Sequence, residues 1–174
     1  MSLGAPLFLL LLAACASGVT RPADSQLAKA YLADPGKKAS GVVISLTPEA
    51  KKQAAENLKF NQEVLLSTLR RGLEARELLA KQSDQTLPNI EVVVTDIRIR
   101  SNFSAVVFGF MAGDDRINGD VIVRAPTGEE LQRFGVSASY ALGGIGGMDD
   151  TRMNWLYESF AERTIEELMG VNAD

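Results

Sequence analysis

Residues 133–142, RFGVSASYAL, decide the fold because their side chains alternate between apolar and polar. The apolar set is Phe134, Val136, Ala138, Tyr140 and Leu142, and the polar set is Arg133, Gly135, Ser137 and Ser139. Successive side chains of a strand point to opposite faces, so this stretch predicts a strand with one buried face and one solvated face. Sheets of that kind are typically antiparallel.

Three earlier stretches predict the rest of a four-stranded sheet. Residues 41–46 (GVVISL) and 90–100 (IEVVVTDIRIR) are rich in β-branched side chains, and residues 120–125 form a shorter run. The segment 114–120 contains Asn118-Gly119, a strong hairpin signal, and is expected to turn the chain. Residues 126–128 (PTG) predict a second tight turn before the alternating strand.

One long helix is predicted between the first two strands. Thr47-Pro48 supplies an N-cap and a first-turn proline, and no further proline occurs before about residue 81. Gly72 lies in the wide apolar arc of this helix and is expected to permit close packing, with a bend as the alternative. Phe60 and Leu78 project outside that arc, next to Val64. These three side chains form either a partner-binding surface or incidental exposed apolar positions.

A second helix is predicted at the carboxyl end of the chain. Residues 143–147 (GGIGG) end the alternating strand, and Asp149, Asp150 and Thr151 offer helix caps. Apolar residues follow at helical spacing, and Gly170 is expected to end the helix. The order β-α-β-β-β-α predicts an α+β domain over residues 41–174. In it, both helices pack on one face of a mostly antiparallel four-stranded sheet.

The most apolar segment beyond the amino-terminal residues is 103–111, FSAVVFGFM. It either continues the sheet or forms a loop folded over the core. Ligand pockets are mostly apolar with a few polar groups, so this segment is also a candidate pocket wall. Its pocket residues would be Phe103, Phe108, Phe110 and Met111.

Composition excludes several classes of function. The chain has 174 residues, a net charge of −4 and no histidine. Mild acidity argues against nucleic acid as a partner, because that binding neutralises phosphates with clustered Lys and Arg. Without histidine the chain lacks the usual general base and the commonest transition-metal ligand. The only cysteine is Cys15, so no disulfide or zinc–thiolate site is expected within one chain.

The remaining candidate sites favour structural roles. Gly144-Ile145-Gly146 would need a third glycine at position 149 for dinucleotide binding, and Asp149 stands there. Asp114, Asp115 and Asp120 could form a loose calcium loop, but EF-hand spacing is absent and a plain turn is favoured. No Gly-x-Ser-x-Gly elbow occurs. We therefore expect a protein that is not an enzyme and that uses no metal or cofactor.

The amino-terminal residues predict where in the cell the protein is located. Residues 6–14 are uncharged and apolar, and that run is too short to cross a bilayer. It has the length of a signal-peptide core, and Leu12-Ala13-Ala14-Cys15 stands at its end. These four residues look like the lipobox of bacterial lipoproteins. The resemblance implies a signal peptide over residues 1–14 and lipid attachment at Cys15. Residues 15–40, small and polar with prolines and glycine, then predict a flexible tether.

The region from Gly41 to Gly170 is similar in pattern to small envelope lipoprotein domains of bacteria, many of unknown function. The resemblance is carried by GVVISL, the long helix, IEVVVTDIRIR and the segment FGFMAGDDRINGDVIVRAPTGEEL. It implies a non-enzymatic protein that assists envelope biogenesis or transport by binding another envelope protein. Ala16 after the cysteine resembles the outer-membrane sorting rule of enteric bacteria, so the periplasmic face of that membrane is expected. The alternative is a periplasmic module that binds a small ligand or lipid.

Overall fold

A five-stranded mixed sheet organises the computed structural model, which describes residues 18–24, 26–56, 59–100, 114–140 and 149–171. The strands are β1 (Gly18–Thr20), β2 (Gly41–Leu46), β3 (Asn89–Arg98), β4 (Asp115–Arg124) and β5 (Glu130–Tyr140). Their spatial order is β1-β5-β4-β3-β2. β3, β4 and β5 form an antiparallel meander, and β1 pairs antiparallel with β5.

β2 is the exception, because it pairs parallel with β3. Parallel neighbours need a crossover connection, and two helices supply it. They are α1 (Pro48–Glu56) and α2 (Gln62–Ala75). The third helix, α3 (Asp149–Leu168), follows β5, and a 3₁₀ turn covers Tyr31–Ala33. Within the described ranges, no helix has the length and apolar character needed to span a bilayer.

The core lies between one face of the sheet and helices α2 and α3. Its largest fully buried side chains include Phe134, Phe160, Leu65, Leu69, Leu73, Ile90, Ile117 and Leu156. Gly119 lets α3 approach the sheet, because a Cβ there would lie 3.2 Å from Phe160 Cζ and 3.1 Å from Val93 O. Gly72 does the same between the helices, where a Cβ would come within 2.5 Å of Ile165 Cδ1. The close packing predicted at Gly72 is confirmed.

The predicted α+β class is confirmed, but the prediction of four mostly antiparallel strands is wrong in detail. The sheet has five strands and one parallel pair. The extra strand, β1, lies within the predicted tether, where Leu32 and Ala39 are also buried. Arg133 N–H donates to Leu27 O (2.9 Å), so the same stretch continues to contact β5. Backbone pairing with β5 and the burial of Leu32 and Ala39 together hold this segment against the domain.

The single long helix predicted to residue 81 is wrong. Phe60 and Asn61 are not helical, and the Asn61 side chain accepts hydrogen bonds from Glu63 N (3.0 Å) and Val64 N (3.2 Å). Such a side chain satisfies the free N–H groups of a new helix start. The Asn61 N–H itself donates to Tyr157 Oη (2.7 Å) on α3, a tertiary contact that fixes the break.

The turn predicted at residues 114–120 is also wrong, because β4 runs through it from Asp115. Asn118 and Gly119 pair with Ser137 and Val136 of β5, so these residues belong to the ladder. The turn predicted at residues 126–128 is confirmed, with Gly128 at φ 91°. The predicted alternation of the last strand is confirmed where described, with Phe134, Val136 and Ala138 buried. Gly170 at φ 69° ends α3 as expected.

Candidate binding face

The strand face opposite the helices carries half-exposed polar side chains, and we call it the polar face. Its central residues on β4 and β5 are Arg116, Asn118, Asp120, Arg124, Arg133, Gly135, Ser137 and Ser139. A trough of about 460 Å³ opens on this face. It is lined chiefly by Thr20, Arg21, Thr95, Asn118, Asp120, Arg133, Gly135 and Ser137.

Gly135 gives the trough its depth. A Cβ at this position would meet Thr20 Cβ at 3.7 Å and Asp120 Oδ1 at 3.8 Å, which are ordinary contacts. A methyl group at position 135 would therefore make only ordinary contacts, and a larger side chain would project into the trough. The floor of the trough is open because Gly135 has no side chain. The backbone conformation at this position does not itself require glycine.

A ladder of ion pairs crosses three strands beside the trough. Arg124 Nε donates to Glu91 Oε2 (3.0 Å) and Arg124 Nη2 to Glu130 Oε1 (3.2 Å). Arg133 holds Glu130 through Nε to Oε2 (3.0 Å) and Nη2 to Oε1 (2.9 Å). Arg133 Nη1 also lies 3.6 Å from Asp120 Oδ2. We call these five side chains the polar ladder; its charges are fixed relative to one another.

Contacts within the polar ladder shift the pKa values of Glu130 and Arg133. Hydrogen bonds from Arg133 hold the pKa of Glu130 below its ordinary value, against a smaller opposing effect of burial, and Arg124 adds to the lowering. The hydrogen bond to Glu130 raises the pKa of Arg133. Glu130 and Arg133 therefore stabilise each other in their charged forms, and both keep their charges at neutral pH.

A second polar contact flanks the trough. Arg116 Nε donates to Asp96 Oδ2 (2.7 Å), and Gln53 Nε2 donates to Asp96 Oδ1 (2.8 Å). Burial tends to raise the pKa of Asp96, but these two hydrogen bonds and the nearby arginines outweigh it and the pKa is lowered. Asn118 Oδ1, buried in the trough wall, has no hydrogen-bond partner within the described part of the chain.

A different ion cluster lies at the end of the sheet, and it is buried. Asp115 accepts hydrogen bonds from Arg100 Nε (3.2 Å), Arg100 N (2.6 Å) and Arg152 Nη1 (3.1 Å). Arg100 Nη2 also donates to Tyr140 O (3.2 Å). This buried cluster connects the end of β3, the start of β4, the end of β5 and the start of α3. The calcium loop considered for Asp115 is therefore replaced by a structural ion cluster.

The described carboxylates are dispersed over the fold. Across the described ranges, no group of three or more carboxylate or cysteine side chains is placed to hold a metal ion. Asp120 lies on the polar face, whereas Asp114 and Asp115 are buried. What the polar face offers is a fixed pattern of charges and hydrogen-bonding groups around a trough.

The predicted partner surface is not brought together. Phe60 and Leu78 are buried, and the Phe60 ring packs edge-on against Tyr157 with centroids 6.1 Å apart. Val64 alone is exposed, at 37%. The three side chains therefore do not share one exposed surface, since Phe60 lies at the break between α1 and α2 and points inward. The lipid-attachment residue Cys15 and the pocket residues Phe103, Phe108, Phe110 and Met111 lie outside the described residues.

The sequence contained one signal for the trough. Arg133, Gly135 and Ser137 form the polar half of the alternating strand, and that half is the trough floor. Asp120 and Thr20 complete the site from stretches assigned to a turn and to a tether, so no local pattern could place them there.

Comparison with known proteins adds a family and a distant fold likeness. No curated protein matches the chain. Among solved structures, a leucine-to-methionine variant of the PelC dodecamer from Paraburkholderia phytofirmans is 11% identical with TM-score 0.47. It aligns over 76% of this chain and 92% of that chain. The PelC dodecamer in a second crystal form is 13% identical with TM-score 0.43, over 88% and 97% of the two chains. These weak likenesses carry no functional argument.

The sequence also matches a family model described as "Domain of unknown function (DUF4410)" over residues 22–144. That match begins two residues after β1 and extends to the residues that follow β5, and it includes every strand that lines the trough except β1. The predicted likeness to an uncharacterised domain is confirmed. The chain belongs to the DUF4410 family.

Proposed function

We propose that this protein is a non-enzymatic lipoprotein of the bacterial cell envelope that binds another envelope protein through its polar face. It would be held by lipid on Cys15 at the periplasmic face of the outer membrane. The observation that carries the binding role is the trough beside the polar ladder. The anchoring rests on the lipobox-like Leu12-Ala13-Ala14-Cys15 at the end of an apolar run.

The polar ladder favours a protein as the partner. Its two arginines and three carboxylates present alternating charges across β3, β4 and β5 in a fixed geometry. Complementary charges of this kind set the orientation of a partner and reject unsuitable ones more than they raise affinity. The trough next to the ladder would receive one projecting side chain or loop, which supplies a central anchor.

Filling the trough tests the proposal. Gly135→Leu should project a branched apolar side chain into the trough and obstruct it, while Ser67→Leu places the same side chain on the exposed face of α2 as a matched control. Each native, membrane-anchored form would be used for affinity capture from gently solubilised membranes. We expect a stoichiometric envelope protein with wild type and Ser67→Leu, reduced at least tenfold with Gly135→Leu.

Two results would count against the proposal in different ways. Equal capture by Gly135→Leu would exclude the trough as the binding site. Retention of Cys15→Ser in membranes at the wild-type level would contradict lipid anchoring at Cys15, but it would not contradict the proposed binding role. Unfolding temperatures of all variants, measured by circular dichroism, show that any loss comes from the surface and not from misfolding.

A second candidate function is binding of a small polar ligand. The trough volume of about 460 Å³ falls within the range of small-molecule sites, although its lining is more polar than is usual for them. Native mass spectrometry of the purified chain would show a bound mass that is lost in Gly135→Leu. A clean apo mass together with a captured protein would favour the partner-binding function.

A further inference from the structure

The two edges of the sheet are protected to different degrees. β1 is only three residues long, and Arg21 and Pro22 follow it directly. β2 has six residues, GVVISL, with no charge and no proline, and Val43 on it is 55% exposed. Natural proteins usually blunt an edge with a short strand, a lysine or a proline. β1 follows that rule, and β2 does not.

The hydrogen-bonding groups on the outer side of β2 can be assigned from the pairing. Thr47 N–H points toward β3 and donates to Val94 O (3.0 Å), so it lies on the inner side of β2. Successive residues of a strand present their N–H and C=O groups to opposite sides, so those of Val42, Ile44 and Leu46 point outward. In agreement, Ile44 O accepts from the side chain of Gln62 (Nε2, 3.1 Å).

Only part of this outer side is occupied. Ala39, just before β2, exchanges hydrogen bonds with Leu78 O (2.8 Å) and Ala80 N (2.9 Å). The outward groups of Val42 and Leu46 have no hydrogen-bond partner among the described residues. A stretch of about five residues, centred on Ile44, is therefore available to another strand.

We propose that β2 pairs antiparallel with β2 of a second copy of this chain, about a two-fold axis at Ile44. In that register, Val42 lies opposite Leu46 of the second copy, Ile44 opposite Ile44, and Val43 opposite Ser45. Because the strand is uncharged, no like charges meet across the axis. Half-buried Ile44 and Leu46 would extend the apolar layer from one copy to the next.

A second copy fits this edge better than an open series of strands. The pairing is isologous, so it closes at two copies. β1 is too short to continue the sheet at the far edge. One strand pair is small beside the roughly 1,200–2,000 Å² of a standard interface, so we expect a weak dimer that dissociates in the micromolar range. The test below uses Cys15→Ser protein, so its result does not depend on the lipid anchor or on the trough.

Sedimentation velocity from low micromolar to near-millimolar concentration tests the dimer. We expect the Cys15→Ser chain to convert from monomer to dimer, and Val43→Lys in that background to stay monomeric. Val171→Lys is the matched control, because Val171 is exposed at 61% beyond the end of α3. A monomer at every concentration, or a dimer that survives Val43→Lys, would overturn the proposal.

Gln62→Ala should strengthen the dimer, whereas Val43→Lys should weaken it. The Gln62 side chain occupies Ile44 O and must leave it before a second strand can bond there. Removing this competitor should tighten the dimer roughly two- to tenfold, the equivalent of one net hydrogen bond. A weaker dimer in Gln62→Ala would contradict the assigned edge.

Cross-linking fixes the register. Val43 and Ser45 of the two copies would form the closely spaced, non-hydrogen-bonded pairs, whose separation suits a disulfide. The variant Val43→Cys with Ser45→Cys, in the Cys15→Ser background, should give a covalent dimer on mild oxidation. Lys51→Cys with Lys52→Cys on exposed α1 is the control and should remain monomeric. No covalent dimer, or equal cross-linking of the control, would refute the register.

Discussion

The two faces of β4 carry the same kinds of residue with different physical consequences. On the helix side, Asp115 lies in the buried cluster, and Gly119 is in contact range of Phe160. On the polar side, Asp120 and Arg124 belong to half-exposed ion pairs, and nearby Gly135 opens the trough. Charges and glycines on the first face support the fold, whereas on the second they shape a surface.

The largest effect is expected from Asp115→Asn. Asp115 is fully buried, and it offsets the charges of Arg100 and Arg152, which are themselves almost inaccessible. Removing one partner of such a buried ion cluster typically costs about 3–5 kcal/mol. Urea unfolding followed by circular dichroism should show a loss of that size. A loss below about 1 kcal/mol, the range of surface pairs, would mean that the two faces do not differ as argued.

Two glycine variants test the same contrast, and their expected changes in unfolding free energy are of intermediate size. Gly119→Ala places a Cβ 3.1 Å from Val93 O and 3.2 Å from Phe160 Cζ, so overpacking should cost about 1–3 kcal/mol. Gly135→Ala meets only ordinary contacts, and we expect a change within about 1 kcal/mol, in the stabilising direction if the unfolded chain loses freedom. Equal losses in thermal unfolding of the two variants would contradict the assignment of faces.

The same comparison explains what the sequence could predict. The alternation of residues 133–142 was sufficient for β5, because burial on one face alone leaves a period-two pattern. β4 was predicted to begin too late, since Asn118-Gly119 is a strong local turn signal. Gly119 instead makes room for the Phe160 ring, and Phe160 lies 41 positions further along the chain. The requirement for glycine therefore comes from a tertiary contact and not from a local turn. Likewise, Asn61 interrupts a periodic helical pattern through its cap and its contact with Tyr157.

The binding face was only half predictable for a related reason. The polar half of β5 was visible, but the trough also needs Thr20 from β1 and Asp120 from β4. β1 is three residues long, and its strand conformation comes from pairing with β5 rather than from any pattern of its own. Sites assembled across strands depend on register, which a single sequence does not display.

The smallest effect is expected from Glu130→Gln on the polar ladder, and its pH dependence is the useful signal. The pKa of Glu130 is lowered from its ordinary value of 4.5, mainly by hydrogen bonds from Arg133. A lowered folded-state pKa gives stability that is present above the ordinary value and is lost as pH falls through the folded value. Glu130→Gln should therefore cost about 0.2–1 kcal/mol at pH 7, and the difference from wild type should vanish in acid below both values.

Added salt should affect the stability losses of Glu130→Gln and Asp115→Asn differently. The polar ladder is half-exposed, so molar sodium chloride should reduce the loss in Glu130→Gln at pH 7. Asp115 and its arginines are shielded from solvent, and the loss in Asp115→Asn should hardly change. Unfolding curves for both variants at low and high salt measure this directly. If salt reduced both losses equally, the Asp115 cluster would have to be accessible to solvent, and the contrast between the two faces of β4 would fail.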